Sequence, residues 1–372
     1  MSTGASTGAE RDPFVDFVRA FSLLVVVAWH WVFTIIIWRD DGPHATNPIG
    51  FTKGLFVATW LLQVLPLFFF VGGFAHQQAW AAQQASGTRL GTFVWKRISA
   101  LARPALALFG AWWALGALVV SLYDLDGVGR TVQLIVSPLW FLAVYLLLIA
   151  LFPLAHRLHQ RFGILVVVWA AAIAALVDVG RFAHGYEGLA WVNMVVVWGL
   201  CHQLGFFYRQ LVDAGRRVAW ALTWSGLFAL VALVGTRLYP GSMVGVPGER
   251  FSNMAPPTVC IVALVFFQIG VVLLVRDAVL ERLRTRARWQ GAQTVVNRFA
   301  LPIYLFHSTG MAIWWAFSHE VLGTRAVREP DLRWWLTRPT AFIGPLVVTL
   351  PIILVLGRRW TKRPTPERSA AA

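Results

Sequence analysis

Residues 14–38 read FVDFVRAFSLLVVVAWHWVFTIIIW, an apolar run interrupted by three ionisable side chains, Asp16, Arg19 and His30. A helix that crosses a bilayer needs roughly 20 mainly apolar residues, and this run is long enough. Working outward, similar runs follow at 54–80, 104–123, 138–155, 162–179, 189–208, 218–237, 255–275, 299–317 and 336–356. None alternates with the two-residue period of a barrel strand, so each is read as a helix. The reading is an all-α, polytopic integral membrane bundle of about ten transmembrane helices, placed in the cell membrane as a multi-pass protein.

Composition agrees. Of 372 residues, 58% are hydrophobic and 13% charged, and the mean hydropathy is +0.64. Soluble domains carry roughly 25% charged residues, so a bilayer is the natural solvent for the uncharged stretches. The net charge of +15 does not point to nucleic acid, because the basic residues sit in short loops rather than in one basic face. With Arg19 counted at its end of the first helix, 22 of the 32 Lys and Arg residues fall on the side holding both termini, leaving 10 on the other. The positive-inside rule therefore predicts cytoplasmic termini. Residues 1–10 are small and polar, and no cleavable signal peptide is expected ahead of the first span. One membrane domain is expected over residues 1–357, followed by a basic tail at 358–372 expected to be disordered. Cys201 and Cys260 both lie in apolar runs and read as buried small side chains.

Ionisable residues inside a span are costly and mark candidate function. At 100° per residue, His30 lies about 20° from the line of Arg19 and about 40° from that of Asp16, so all three share one face. Arg19 and His30 are separated by roughly 16 Å of helical rise. The pair Asp16–Arg19 has an ordinary reading as an i,i+3 anchor at the helix entrance. His30, flanked by Trp29 and Trp31, has no such local explanation.

The string Asp16-Phe-Val-Arg19-Ala-Phe-Ser-Leu-Leu-Val-Val-Val-Ala-Trp-His30 resembles the opening of the membrane-bound acyltransferase-3 family. Pro66-Leu-Phe-Phe-Phe-Val-Gly-Gly73-Phe is similar to that family's aromatic-to-glycine segment. Lys96-Arg97 with Arg103-Pro104 resembles its basic stretch, Pro138-Leu-Trp140-Phe-Leu the start of its fourth span, and Tyr304-Leu-Phe-His307 a late-span motif. Gly72 stands where a serine is usual, and Ala100 where a second arginine is often found.

The resemblance implies a membrane O-acyltransferase, with His30 as general base and acyl-CoA as co-substrate, no cofactor being bound. Asp16 and Arg19 are then expected to order the cytoplasmic entrance, and Arg97 and Arg103 to meet the anionic nucleotide half of the donor, with topology anchoring as their ordinary alternative. Trp140, His307 and Asn253 are candidates for the channel or acceptor side, each with an equally ordinary packing or turn role. The expected acceptor is a hydroxyl on a carbohydrate or lipid-linked envelope component. Contact with membrane lipid follows, and homo-oligomerisation is left open. Two other classes compete: a transporter or channel whose buried His and Arg line a path, and a receptor or structural protein whose buried charges specify helix pairing. No internal repeat favours the transporter. No metal site is expected, since His156 and His159 form an i,i+3 pair with no carboxylate nearby. No G-x-S-x-G elbow is present.

Overall fold

The computed structural model describes residues 12–39, 41–123, 127–323 and 330–357. The basic tail at 358–372 and the first ten residues lie outside them. Helix α1, Pro13–Phe33, begins where the Asp12 side chain accepts hydrogen bonds from the backbone N–H groups of Phe14 (2.8 Å) and Val15 (3.2 Å), with Pro13 in the first turn. It ends earlier than the apolar run does. Thr34 turns extended, and the β-branched Ile35–Ile37 open strand β1 (Ile35–Arg39). That strand pairs antiparallel with β2 (Gly42–Thr46), Ile35 opposite Thr46 and Arg39 opposite Gly42.

The hairpin tip sits on the start of a short helix farther along. A Cβ on Gly42 would lie 2.7 Å from Gly127 Cα, so neither glycine has room for a side chain, and both have positive φ. Beside this contact Asp41 receives Arg130 Nη2 at 2.5 Å and lies 2.7 Å from His44 Nε2. Chiefly the bond with His44, and then the charge of Arg130, hold its carboxyl below the usual carboxylate range.

After the hairpin come α2 (Leu65–Ala85), α3 (Leu90–Tyr123), the short α4 (Val128–Val136), α5 (Leu139–Phe162), α6 (Leu165–His184) and α7 (Ala190–Leu204). Then follow α8 (Gly215–Gly235), α9 (Val259–Thr285), the short α10 (Ala287–Arg298), α11 (Ala300–Glu320), α12 (Leu332–Thr337) and α13 (Ile343–Val355). Helix α3 starts well before the expected Pro104 and carries that proline inside it. Its first turns hold Lys96 and Arg97, so an apolar scan misses them.

Among the described residues, nine segments are long and apolar enough to cross a membrane. Helix α11, expected as the ninth of ten, spans 21 residues but is not among them. His307, Ser308, Thr309 and two tryptophans dilute its apolar content. It nevertheless packs inside the bundle: Leu305, Phe306 and His307 are buried, and Gly310 lies so close to Thr349 of α13 that a Cβ would sit 1.8 Å from its hydroxyl. The Gly357 backbone abuts Pro302, and Gln293 Nε2 donates to the Pro13 carbonyl, so both described chain ends lie at one end of the bundle.

Large apolar side chains such as Leu106, Leu122, Leu176 and Phe228 are exposed along the outward helix faces. In water that arrangement would be unstable; against lipid tails it costs nothing. Packing between helices rests on close backbone approach. A Cβ on Gly73 of α2 would meet the His202 carbonyl of α7 at 1.9 Å, and one on Gly205 would meet the Phe70 carbonyl at 2.0 Å. Both cysteines are buried and free.

Candidate functional site

The face of α1 predicted to carry Asp16, Arg19 and His30 does face protein at both ends. Arg19 Nη2 donates to Asp16 at 2.6 Å. Asn297, at the end of α10, closes a bracket around them: Arg19 Nε donates to its side-chain oxygen at 2.9 Å, and its amide donates to the Asp16 carbonyl at 2.9 Å. Asp16 also borders a cavity of about 600 Å³ lined by Asp277, Glu281 and Arg284 of α9 and by Gln290 and Gln293 of α10. The start of α1 is fixed from a further side, since Tyr208 donates to Asp12 at 3.0 Å and Arg276 Nε donates to the Tyr208 hydroxyl at 3.3 Å.

His30 sits in the last turn of α1, half-buried, with its Nδ1 3.1 Å from Nε2 of His307 on α11. The rings lie 5.0 Å apart and tilt by 34°. His307 is fully buried. Its Nδ1 is 2.6 Å from the Tyr304 carbonyl, and its Nε2 is also 3.2 Å from Ser308 Oγ. The next residue of α1 holds its backbone, Trp31 Nε1 donating to the His307 carbonyl at 2.9 Å. Two more bonds seat α11 here: Tyr304 donates to the Pro138 carbonyl at 2.5 Å, and Trp112 of α3 donates to Thr309 at 3.1 Å. Above the pair, Trp38 of the hairpin packs on His319, their rings 4.5 Å apart. Arg338 Nη1 donates to the Val32 carbonyl at 3.3 Å, occupying an acceptor the end of α1 leaves open.

The other expected residues are spread more widely. The guanidinium of Arg97 is half-buried over the Phe93 ring at 4.6 Å, and among the described residues its Nε has no hydrogen-bond partner. Arg103 is exposed, and six residues of helix put it about 240° around α3 from Arg97, on a different face. Trp140 packs against Trp198 and Phe141, each with ring centres 6.4 Å away. Asn253 is buried in the loop before α9, donating to the Pro240 (2.6 Å) and Ser242 (2.9 Å) carbonyls and accepting from Thr258 (2.7 Å). Its polar groups hold that loop together. No hydrogen bond or ion pair among the described residues joins Arg103, Trp140 or Asn253 to the His30–His307 pair.

A second imidazole pair was not singled out from sequence. His76 of α2 has Nδ1 3.0 Å from His202 Nε2 of α7, and its Nε2 lies 3.3 Å from the Tyr145 hydroxyl of α5. All three sit in apolar runs, and Arg19 and Arg97 both bear electrostatically on Tyr145. The rule that flagged His30 applies equally to His76 and His202; what sequence could not supply is that they meet.

The arrangement thus holds two polar levels joined by α1. One, at the end with both described chain ends, has a guarded ion pair, a cavity and a partly unpaired guanidinium. The other, near the far end of α1, has an imidazole on an imidazole. Such a pair can take up a proton and spread the resulting charge. In comparison with known proteins, a family profile described as an acyltransferase domain matches residues 12–358. No curated protein and no solved structure matches the chain.

Proposed function

The chain belongs to the acyltransferase-3 family and is a membrane acyltransferase, and on that premise we propose that it moves an acyl group, most simply acetyl, from cytoplasmic acyl-CoA to a hydroxyl on a carbohydrate or other cell-envelope acceptor. His30 is the general base in this reading. It takes the hydroxyl proton as the oxygen attacks the thioester carbonyl. The tetrahedral adduct expels the CoA thiolate, which takes the proton from His30, leaving an ester and free CoA thiol.

The observation that carries the reading is the His30–His307 contact at 3.1 Å. It gives the in-span histidine a polar partner inside the bundle, on the helix face that also bears Asp16 and Arg19. The charge bias of the loops supports placing the Asp16–Arg19 end in the cytoplasm, with the chain in the cell membrane. The donor then enters from that end, its anionic half near Arg97 and Arg103 and its acyl end directed along α1 toward His30. Arg97 suits the task better than Arg103, being inward and carrying an N–H unpaired among the described residues.

Mass spectrometry of envelope glycans and metabolites, from cells with and without the intact gene, tests the reaction. A difference of one acyl group on a hydroxyl-bearing component is expected, and it names the donor and acceptor class. Restoring the gene as His30→Ala should leave that acyl group missing while the protein remains folded and inserted. Full acylation by that variant would remove His30 from the chemistry.

A further inference from the structure

One acceptor with no hydrogen to give determines where the protons sit around His30. The Tyr304 carbonyl lies 2.6 Å from His307 Nδ1, so that nitrogen must carry the hydrogen. A neutral imidazole has one N–H, which leaves His307 Nε2 as a lone pair. His30 Nδ1 stands 3.1 Å from that lone pair and must therefore donate to it. The opposite assignment would set two lone pairs face to face. Ser308 Oγ, 3.2 Å from the same Nε2, has a hydroxyl hydrogen and reinforces its acceptor role. His30 Nε2 has no partner among the described residues.

We infer that His307 is a positioning residue that holds His30 in its Nδ1–H tautomer and leaves Nε2 as the atom that receives the acceptor's proton. The inference rests on the general-base reading for its purpose, but not for its geometry. When Nε2 gains the proton, the Nδ1–H bond to His307 stays as it was, so the ring need not turn during the reaction. Trp31, bonded to the His307 carbonyl, keeps α11 from sliding along α1 and so keeps the two nitrogens in register. The logic parallels a base oriented by a third group in nucleophilic triads, with a buried neutral imidazole in the orienting position.

The test uses the full chain labelled with 15N-histidine in lipid nanodiscs, the His30 resonances identified by their loss in His30→Gln. The unsubstituted protein should show His30 protonated at Nδ1 and bare at Nε2. His307→Leu should release it to a mixture of tautomers, and His307→Gln, whose side-chain oxygen can accept the same hydrogen, should restore the original form. In membranes given acetyl-CoA and assayed for released thiol, His307→Leu should lower turnover by about 10²–10⁴-fold with the donor KM nearly unchanged. His307→Gln should recover at least about tenfold of that loss. Finding His30 protonated at Nε2 in the unsubstituted protein would overturn the inference. So would near-normal turnover by a folded His307→Leu. The spectroscopic arm needs no catalysis, so it stands apart from the base reading, which fails separately if His30→Gln stays active.

Discussion

Among its described residues the protein has two imidazole pairs of nearly equal length, and they are satisfied to different degrees. His76 and His202 meet at 3.0 Å, His30 and His307 at 3.1 Å. In the first pair both nitrogens of His76 are engaged, by His202 and by Tyr145, and both histidines are buried. The helices around it touch backbone to backbone at Gly73 and Gly205, and Gly72 leaves just enough space for the Tyr145 ring. In the second pair His307 is buried but His30 is half-buried, and one of its nitrogens is unclaimed among the described residues. A polar group satisfied on every side contributes to packing, whereas one with a spare lone pair can also react. Distance alone does not separate them; the partial exposure of His30 and its open nitrogen do.

The largest expected effect comes from comparing the pairs directly. His30→Ala should cost acyl transfer about 10²–10⁴-fold with little change in the thermal midpoint of the purified protein. His76→Ala should do the reverse: leaving the Tyr145 hydroxyl and the His202 ring unpaired costs about 1–3 kcal/mol of stability, with turnover per folded molecule kept within a fewfold. A scan of midpoint and thiol release for both variants decides this, and a His76→Ala protein that folds well but is inactive would erase the distinction.

Gly73→Ala sharpens the same point from the packing side. Its methyl would sit 1.9 Å from the His202 carbonyl, so α2 and α7 must part. A loss of about 1–3 kcal/mol or more is expected, seen as a lower midpoint and less monodisperse protein in size-exclusion chromatography. A smaller change is expected from Asn297→Ala, which removes the bracket on Arg19 and Asp16. About 1 kcal/mol should be lost, together with a higher donor KM if this end receives acyl-CoA. An unchanged KM would limit Asn297 to holding α10 on α1.

The smallest effect belongs to the hairpin. Asp41 has a folded-state carboxyl held below its unfolded value, so the stabilisation it brings is present above about pH 4 and fades as pH falls through the lower, folded value. Trp38 fluorescence should therefore be level from neutral pH to about 5 and change only below about 4. A transition above about pH 5 would take Asp41 out of the account.

Much of this fold could be read from sequence, because a 20-residue apolar run has few alternatives once the chain is this poor in charge. The exceptions follow from composition. Ile35–Ile37 are as apolar as any helical segment, so nothing in hydropathy ends α1 at Phe33. The first turns of α3 are basic, and α11 is diluted by the residues that matter to the site. Of the candidate site, the shared face of Asp16, Arg19 and His30 was legible because it lies on one helix, where 100° per residue does the geometry. His307 and Asn297 as their partners were not, since 277 and 281 residues separate the bonded positions and periodicity says nothing about which helix faces which. Asn253 shows the converse. An asparagine in a loop invites a ligand role on paper, yet its bonds are used within that loop.

The distance in sequence between His30 and His307 bears on how the protein is made. Helix α1 is apolar enough to enter the bilayer as soon as it leaves the ribosome, but α11 is not among the helices that meet that standard. Its row of His307, Ser308 and Thr309 finds partners on α1, α3 and α11 itself, so its burial depends on neighbours already in place. Synthesis therefore runs through most of the chain before the imidazoles can meet, and a nascent or truncated product that stops short of α11 would be a membrane-inserted protein lacking one half of the imidazole pair.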